Sequence, residues 1–352
     1  MRAIAFGLAP QAYARIKKWG VTLPPKAMAK LAVTHKMQAQ RSEAIYAQLA
    51  QLLAAAANIH LQPVALKGVH LAACYYSEPA QRPMNDIDLL FTREDLPKAE
   101  ALLLELGYGG KHKSAETGAR VTKHTSTFRR EEPTTGKATP NPYLSASLDR
   151  TIEPHSSLEE SWFGLKVDMT PGIRDRLDTA VLANHRCHVL NPTDLLHHIC
   201  LHFAFHLIQG APSFVQLTDL LVITQTNRVA WDTFLQRVSE AKSTGYVLAA
   251  LTLAQKLVGA PIPPQILQQL AEQTPEPLRK RIDQMDLAFI LRRTQQKPLT
   301  TLSDRLQRGI KDRMEIARWA PTFGEKLRVW QTAVQFTRTD TAKMLKKREI
   351  GD

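Results

Sequence analysis

The stretch Asp86-Ile87-Asp88-Leu89-Leu90-Phe91 constrains this chain more than any other. Acidic and apolar residues alternate through its first half, and an apolar run closes it. A period of two is that of an extended strand, so Asp86 and Asp88 leave one face and Ile87 and Leu89 the other. A strand that ends in Leu89-Leu90-Phe91 is bound for an interior, where carboxylates cost stability unless a cation or water meets them. The segment therefore implies a sheet with one packed face and one face that receives charge.

The neighbouring pattern supplies helices to cover such a sheet. Residues Pro25 to Ala57 read as one helix, with Leu31, Met37, Ile45, Leu49, Leu52 and Leu53 at steps of about three and four and Asn58 as the stop. Leu61 to Leu66 is a short apolar run that turns at Lys67-Gly68, and Val69 to Tyr76 has helical composition. Arg82-Pro83-Met84-Asn85 is a loop. Glu94 to Leu106 reads as a helix with a cap near Thr92 and a stop at Gly107. The alternation from Ala119 to Arg129 predicts a further strand, Pro133 to Pro142 a polar loop, and Thr151 to His155 a short strand that Pro154 assigns to a sheet edge or strand end. From Asn191 onward the pattern is helical, with breaks at Gly210-Ala211-Pro212, Gly259 to Pro264, Thr274-Pro275 and Ala320-Pro321.

The expected fold class is α+β: a small mixed β-sheet core flanked by helices, followed by a mainly α-helical C-terminal region. The expected divisions are a helical lead-in over 1–58, the α/β core over 59–190, a helical body over 191–290 and a basic helical segment over 291–352. Three cysteines at unrelated spacings, Cys74, Cys187 and Cys200, support neither a disulfide framework nor a zinc ribbon, and a reducing cytoplasm is the expected location. The run from Met1 to Ala9 is cut by Pro10 before a signal-peptide core is complete, and no stretch has the length of a membrane helix.

The formal charge of +13 is uneven, since residues 291–352 carry 15 Lys and Arg against 7 Asp and Glu. Such a surface attracts polyanions, whether nucleotide, nucleic acid or acidic lipid. Helical spacing assigns Trp319, Val329, Trp330, Val334 and Phe336 in this region mainly to the core, with membrane-surface or acceptor binding as the lesser reading.

Two carboxylates one residue apart on a strand can hold divalent ions about 3.5–4 Å apart, the arrangement used in phosphoryl transfer. A third carboxylate on a neighbouring strand would complete the shell and could take the proton of an attacking hydroxyl. Glycine between a strand and a helix lets backbone N–H groups approach phosphate at a helix N-terminus, which places Gly68 there. Lys67 adds a point charge, and Arg82 can offer phosphate a guanidinium fork. The order of these pieces along the chain is more informative than any one of them. His198, His202 and His206 fall one helical turn apart, a spacing able to hold zinc, but the apolar residues between them favour core or cleft-lining histidines.

The runs Leu66-Lys67-Gly68-Val69-His70-Leu71, Tyr75-Tyr76, Arg82-Pro83 and Asp86-Ile87-Asp88-Leu89-Leu90 resemble an uncharacterised nucleotidyltransferase family of the DNA polymerase β superfamily. The helical stretch Asn191 to Leu221, including Asp219-Leu220-Leu221, is similar to that family's following segment. The resemblance places the third acid in an apolar-acid-apolar-His strand, matched by Ile152-Glu153-Pro154-His155, with Asp168 as the runner-up. Pro154, Ser156 and Val69 depart from the pattern. It implies a Mg²⁺-dependent enzyme moving a nucleoside monophosphate, AMP from ATP or another NTP, onto a hydroxyl of an unknown acceptor, in polysaccharide or peptide biosynthesis. Asp86, Asp88 and Glu153 would be catalytic and metal-binding, and Lys67, Gly68 and Arg82 nucleotide-binding. The alternatives are a catalytically inactive binding or regulatory protein on the same fold, and nucleic-acid binding by the basic segment.

Overall fold

The structure, a computed structural model, describes residues 2–112, 126–130, 151–294, 310, 313–320 and 322–332. Helices α1 (Arg2–Ala5), α2 (Ala9–Trp19) and α3 (Pro25–Asn58) lead into β1 (Val64–Ala65), α4 (Lys67–Cys74), β2 (Asp86–Leu90) and α5 (Leu96–Glu105). The strands β3 (Gly109–His112), β4 (Ser126–Arg129), β5 (Thr151–His155), β6 (Glu159–Trp162), β7 (Leu165–Asp168), β8 (Leu177–Leu182) and β9 (His185–Leu190) follow. The chain continues through α6 (Pro192–Gln209), α7 (Phe214–Thr224), α8 (Trp231–Glu240), α9 (Thr244–Val258), α10 (Pro264–Glu272), α11 (Glu276–Asp283) and α12 (Leu287–Thr294). The α+β class expected from the sequence is what the chain adopts.

Seven strands form one mixed sheet in the order β3-β4-β5-β2-β1-β9-β8, and β6 and β7 make a separate hairpin. The two-residue alternation divides the side chains between two cores. Ala65, Ile87, Leu89, Phe128, Ile152 and Val189 pack beneath Ile45, Leu49 and Leu52 of α3 and Leu103 of α5. Val64, Leu66, Leu90 and Leu190 belong to the other core, shared with α6, α7 and α9. Helix α6 is apolar around its circumference, the pattern of a helix buried on all sides, and Asn191 caps it by accepting from the Thr193 and Asp194 N–H groups at 3.0 Å each. Burial of so many Leu, Ile and Phe side chains, at about 1.5–3 kcal/mol each, is what holds sheet and helical body together.

Two expectations are refined. Pro154 marks the end of β5, where it is the penultimate residue, and not a sheet edge, because β5 lies between β2 and β4. The His155 carbonyl accepts from Phe91 N–H at 2.8 Å, so alternation turns the backbone groups of Ile152 and Pro154 toward β4, whose single described pairing with β5 is Phe128 with Ile152. The missing N–H thus falls outside the ladder formed by the described residues. In the long helix α3, the first half buries Thr34, Gln38, Arg41 and Ser42, while Leu31 and Met37 are half-buried. The apolar spacing located the helix but not the face it buries. Of the strand expected over Ala119 to Arg129, Ser126–Arg129 forms as β4; residues 119–125 and the Pro133 to Pro142 loop lie outside the described residues.

Candidate active site

Strands β2 and β5 run parallel in register, with Asp86 opposite Thr151, Asp88 opposite Glu153 and Leu90 opposite His155. Alternation then puts Asp86 and Asp88 on the same face as Glu153 and His155, turned away from the α3 core. Asp88, Glu153 and His155 each bring a ligand atom within 4.8 Å of the others, a donor set able to hold a metal ion. Asp86 stands outside that group while remaining on its face.

One carboxylate oxygen organises the centre. The Lys67 ammonium donates to Asp88 Oδ1 at 2.7 Å, and His155 Nε2 lies 2.7 Å from the same oxygen. All three side chains are buried. Lys67 reaches it from a backbone held at φ +40°, a left-handed conformation that costs about 1–3 kcal/mol for a residue with a side chain. Burial alone disfavours the Lys67 cation, but the charges of Asp88 and then Asp86 outweigh it, so its pKa is raised. Asp86 is pushed from 3.8 to about 6, first by burial and then by the neighbouring Asp88 charge, with Lys67 and Arg82 opposing. A carboxylate pair that resists double ionisation is one that a divalent cation relieves.

Gly68 is the second residue of α4, close beneath Arg82. A Cβ there would meet Arg82 Nη1 at 3.0 Å and Met84 Cγ at 3.2 Å, so a larger residue would press on the anchored guanidinium. Backbone N–H groups in the first turn of α4 have no partner within the helix, and this end borders the charged face. Arg82 is itself anchored: Nε and Nη2 donate to Asp219 Oδ1 and Oδ2 at 2.9 and 2.8 Å, and Tyr76 Oη donates to Oδ1 at 2.7 Å. Burial opposes the Arg82 charge, but Asp219 outweighs it and holds the guanidinium ionised. Tyr76 Oη also lies 3.2 Å from Thr218 Oγ1, which accepts from Gln11 Nε2 at 3.0 Å. This network joins the Arg82 loop to α7 and α2.

A cavity of about 480 Å³ receives Lys67, Gly68, Arg82, Asp86, Asp88 and Glu153, all six residues singled out from the sequence. It is also lined by His202 and His206 of α6, by Ser213 to Gln216 at the start of α7, and by Ala5 and Phe6. Asp168 lies elsewhere, exposed on the β6–β7 hairpin and accepting from Thr170 N–H at 2.9 Å. Val69 is buried in the α3-side core and does not line the cavity, so the departure at that position leaves the cavity wall unaltered. His202 and His206 are cleft-lining.

Sequence reasoning missed that Asp219 anchors Arg82 and that His155 bonds Asp88. His155 had a faint signal, two residues after an acid in the matching strand. Tyr76 and Asp219 are 143 positions apart and carry no local pattern.

In-register strands carrying Asp86, Asp88 and Glu153 stand beside a strand-glycine-helix turn, a donor set able to hold a metal ion next to a helix N-terminus. The chain belongs to a family described as uncharacterised nucleotidyltransferase, whose model matches residues 2–259. No curated protein and no solved structure matches it.

Proposed function

We propose that this protein transfers a nucleoside monophosphate, AMP from ATP, to a hydroxyl of an acceptor in a Mg²⁺-dependent reaction. The observation that carries the reading is the convergence of Lys67, Gly68, Arg82, Asp86, Asp88 and Glu153 on one cavity. The donor set fits a divalent cation, with two carboxylates across a strand pair and a third on the same face. Asp86, Asp88 and Glu153 would hold the ion, which when bound neutralises charge on the triphosphate and on the developing transition state. Gly68 leaves room for phosphate at the N-terminus of α4. Arg82, oriented by Asp219, and Lys67 supply fixed positive charge, and Glu153 accepts the proton of the attacking hydroxyl. The α6–α7 wall borders the space left for the acceptor. Incubation with labelled ATP, Mg²⁺ and candidate hydroxyl acceptors tests the proposal; labelled transfer that survives Asp86→Asn combined with Asp88→Asn sinks it.

A binding protein that keeps the fold without turnover is the second reading. What favours it is Asp88 Oδ1, which already meets both Lys67 and His155. Calorimetry separates the two, since nucleotide binding indifferent to Mg²⁺ supports the second and metal-dependent binding the first.

A further inference from the structure

The helix at 323–332 presents its apolar residues outward. Phe323, Leu327 and Trp330 are 82, 49 and 42% exposed, and their spacing of four and three places them on one helical face. Val329, on another side of the same helix, is fully buried and fixes that orientation. Gly164 locks the helix against the β6–β7 hairpin, because a Cβ at this glycine would lie 2.9 Å from the Arg328 carbonyl carbon. Nearby, Met314 is also half exposed. A surface helix anchored through Val329 and Gly164 that turns three large apolar side chains on one face to water presents a patch of the kind that marks an interaction site.

Trp330 and Met314 border a groove of about 650 Å³ whose floor includes Tyr246, Leu278 and Trp319. Lys242, Arg318 and Lys326 line it, and no Asp or Glu does among the described residues. Arg318 is shared with Glu315 at 2.8 Å, whereas no carboxylate among the described residues pairs with Lys242 or Lys326. Residues 291–352 carry 15 Lys and Arg against 7 Asp and Glu, and the apolar anchors fall beyond residue 259, where the family match ends. Apolar anchors beside cations that have no carboxylate partner among the described residues, on a segment of net positive charge, are complementary to an anionic amphiphilic surface.

We propose that this face docks the protein on an anionic lipid bilayer, with Phe323, Leu327 and Trp330 entering the headgroup region and Lys242 and Lys326 meeting lipid phosphates. The contact is peripheral, as no described helix is long and apolar enough to cross a membrane. The proposal is independent of the cavity chemistry.

The test is sedimentation of the full chain with vesicles of phosphatidylcholine, with or without phosphatidylglycerol. Two variants accompany it: Phe323→Ser with Leu327→Ser and Trp330→Ser, and Lys242→Ala with Lys326→Ala, each checked for an unchanged circular dichroism spectrum. The expected result is salt-sensitive binding to the phosphatidylglycerol vesicles and weak binding to phosphatidylcholine alone. The apolar triple variant should lose about tenfold or more, since each anchor contributes through its buried apolar area. Removing both lysines should cost about fivefold per charge. Absence of binding to the anionic vesicles, or binding unchanged in the triple variant, overturns the proposal. A concentration-dependent dimer that the triple variant abolishes, without vesicle binding, overturns it too and assigns the face to a second copy of this chain.

Discussion

Replacing Asp219 by alanine removes the acceptor that holds Arg82 in place, and the structure sets the size of the effect. Asp219 is fully buried and accepts three hydrogen bonds, two from the Arg82 guanidinium and one from Tyr76. Arg82 is 8% exposed, so the variant leaves a cation with little water to turn to. Breaking a buried pair from one side costs about 3–5 kcal/mol, most of it the uncompensated charge. Urea unfolding of parent and Asp219→Ala measures it directly. The control is Arg82→Met with Asp219→Leu, which removes both charges and should recover most of the loss. Nucleotide affinity should fall in both, because Arg82 Nη1 sits over Gly68 only while Asp219 fixes the fork. A single variant within about 1 kcal/mol of the parent, or a double variant as unstable as the single one, refutes the reasoning.

Glu153→Gln should lower transfer by about 10²–10⁴-fold if Glu153 takes the hydroxyl proton, whereas Asp168→Asn, on the exposed hairpin, should leave the rate near that of the parent in the same assay. Gly68→Ala should destabilise by about 1–3 kcal/mol through overpacking against Arg82 and Met84, and should raise the nucleotide Kd measured by calorimetry. Asp86 predicts a pH dependence. Its folded pKa of about 6 lies above the unfolded 3.8, so the stability it contributes is complete below 3.8 and is lost as pH rises through about 6. A divalent ion should therefore raise Tm more at about pH 7.5 than at about pH 5, and equal gains would count against the site.

The parts of this protein that were legible in the sequence are those set by short-range pattern. The alternation in Asp86 to Phe91 fixed which face carries acid, the turn at Lys67-Gly68 fixed where the sheet meets a helix, and the breaks after Asn191 marked the ends of α6, α9 and α10. Of the two places Pro154 allowed, a sheet edge or a strand end, the structure takes the second, and which one it takes is a matter of register with β4. Arg82 was assigned to phosphate without its anchor, since Asp219 meets it only through the packing of α7. The C-terminal apolar residues divided in a way spacing could not resolve: Trp319 and Val329 are buried, Trp330 is 42% exposed, and Val334 and Phe336 lie outside the described residues.

The central claim is that the acidic face of β2 and β5 and the Lys67-Gly68 turn form one nucleotide and metal site. Titration of ATP into the protein, with and without Mn²⁺, and into the Asp86→Asn, Asp88→Asn double variant tests it most directly. The account predicts saturable ATP binding that requires the metal in the parent and is lost in the double variant. ATP binding of equal strength without metal, or undiminished in the double variant, contradicts it.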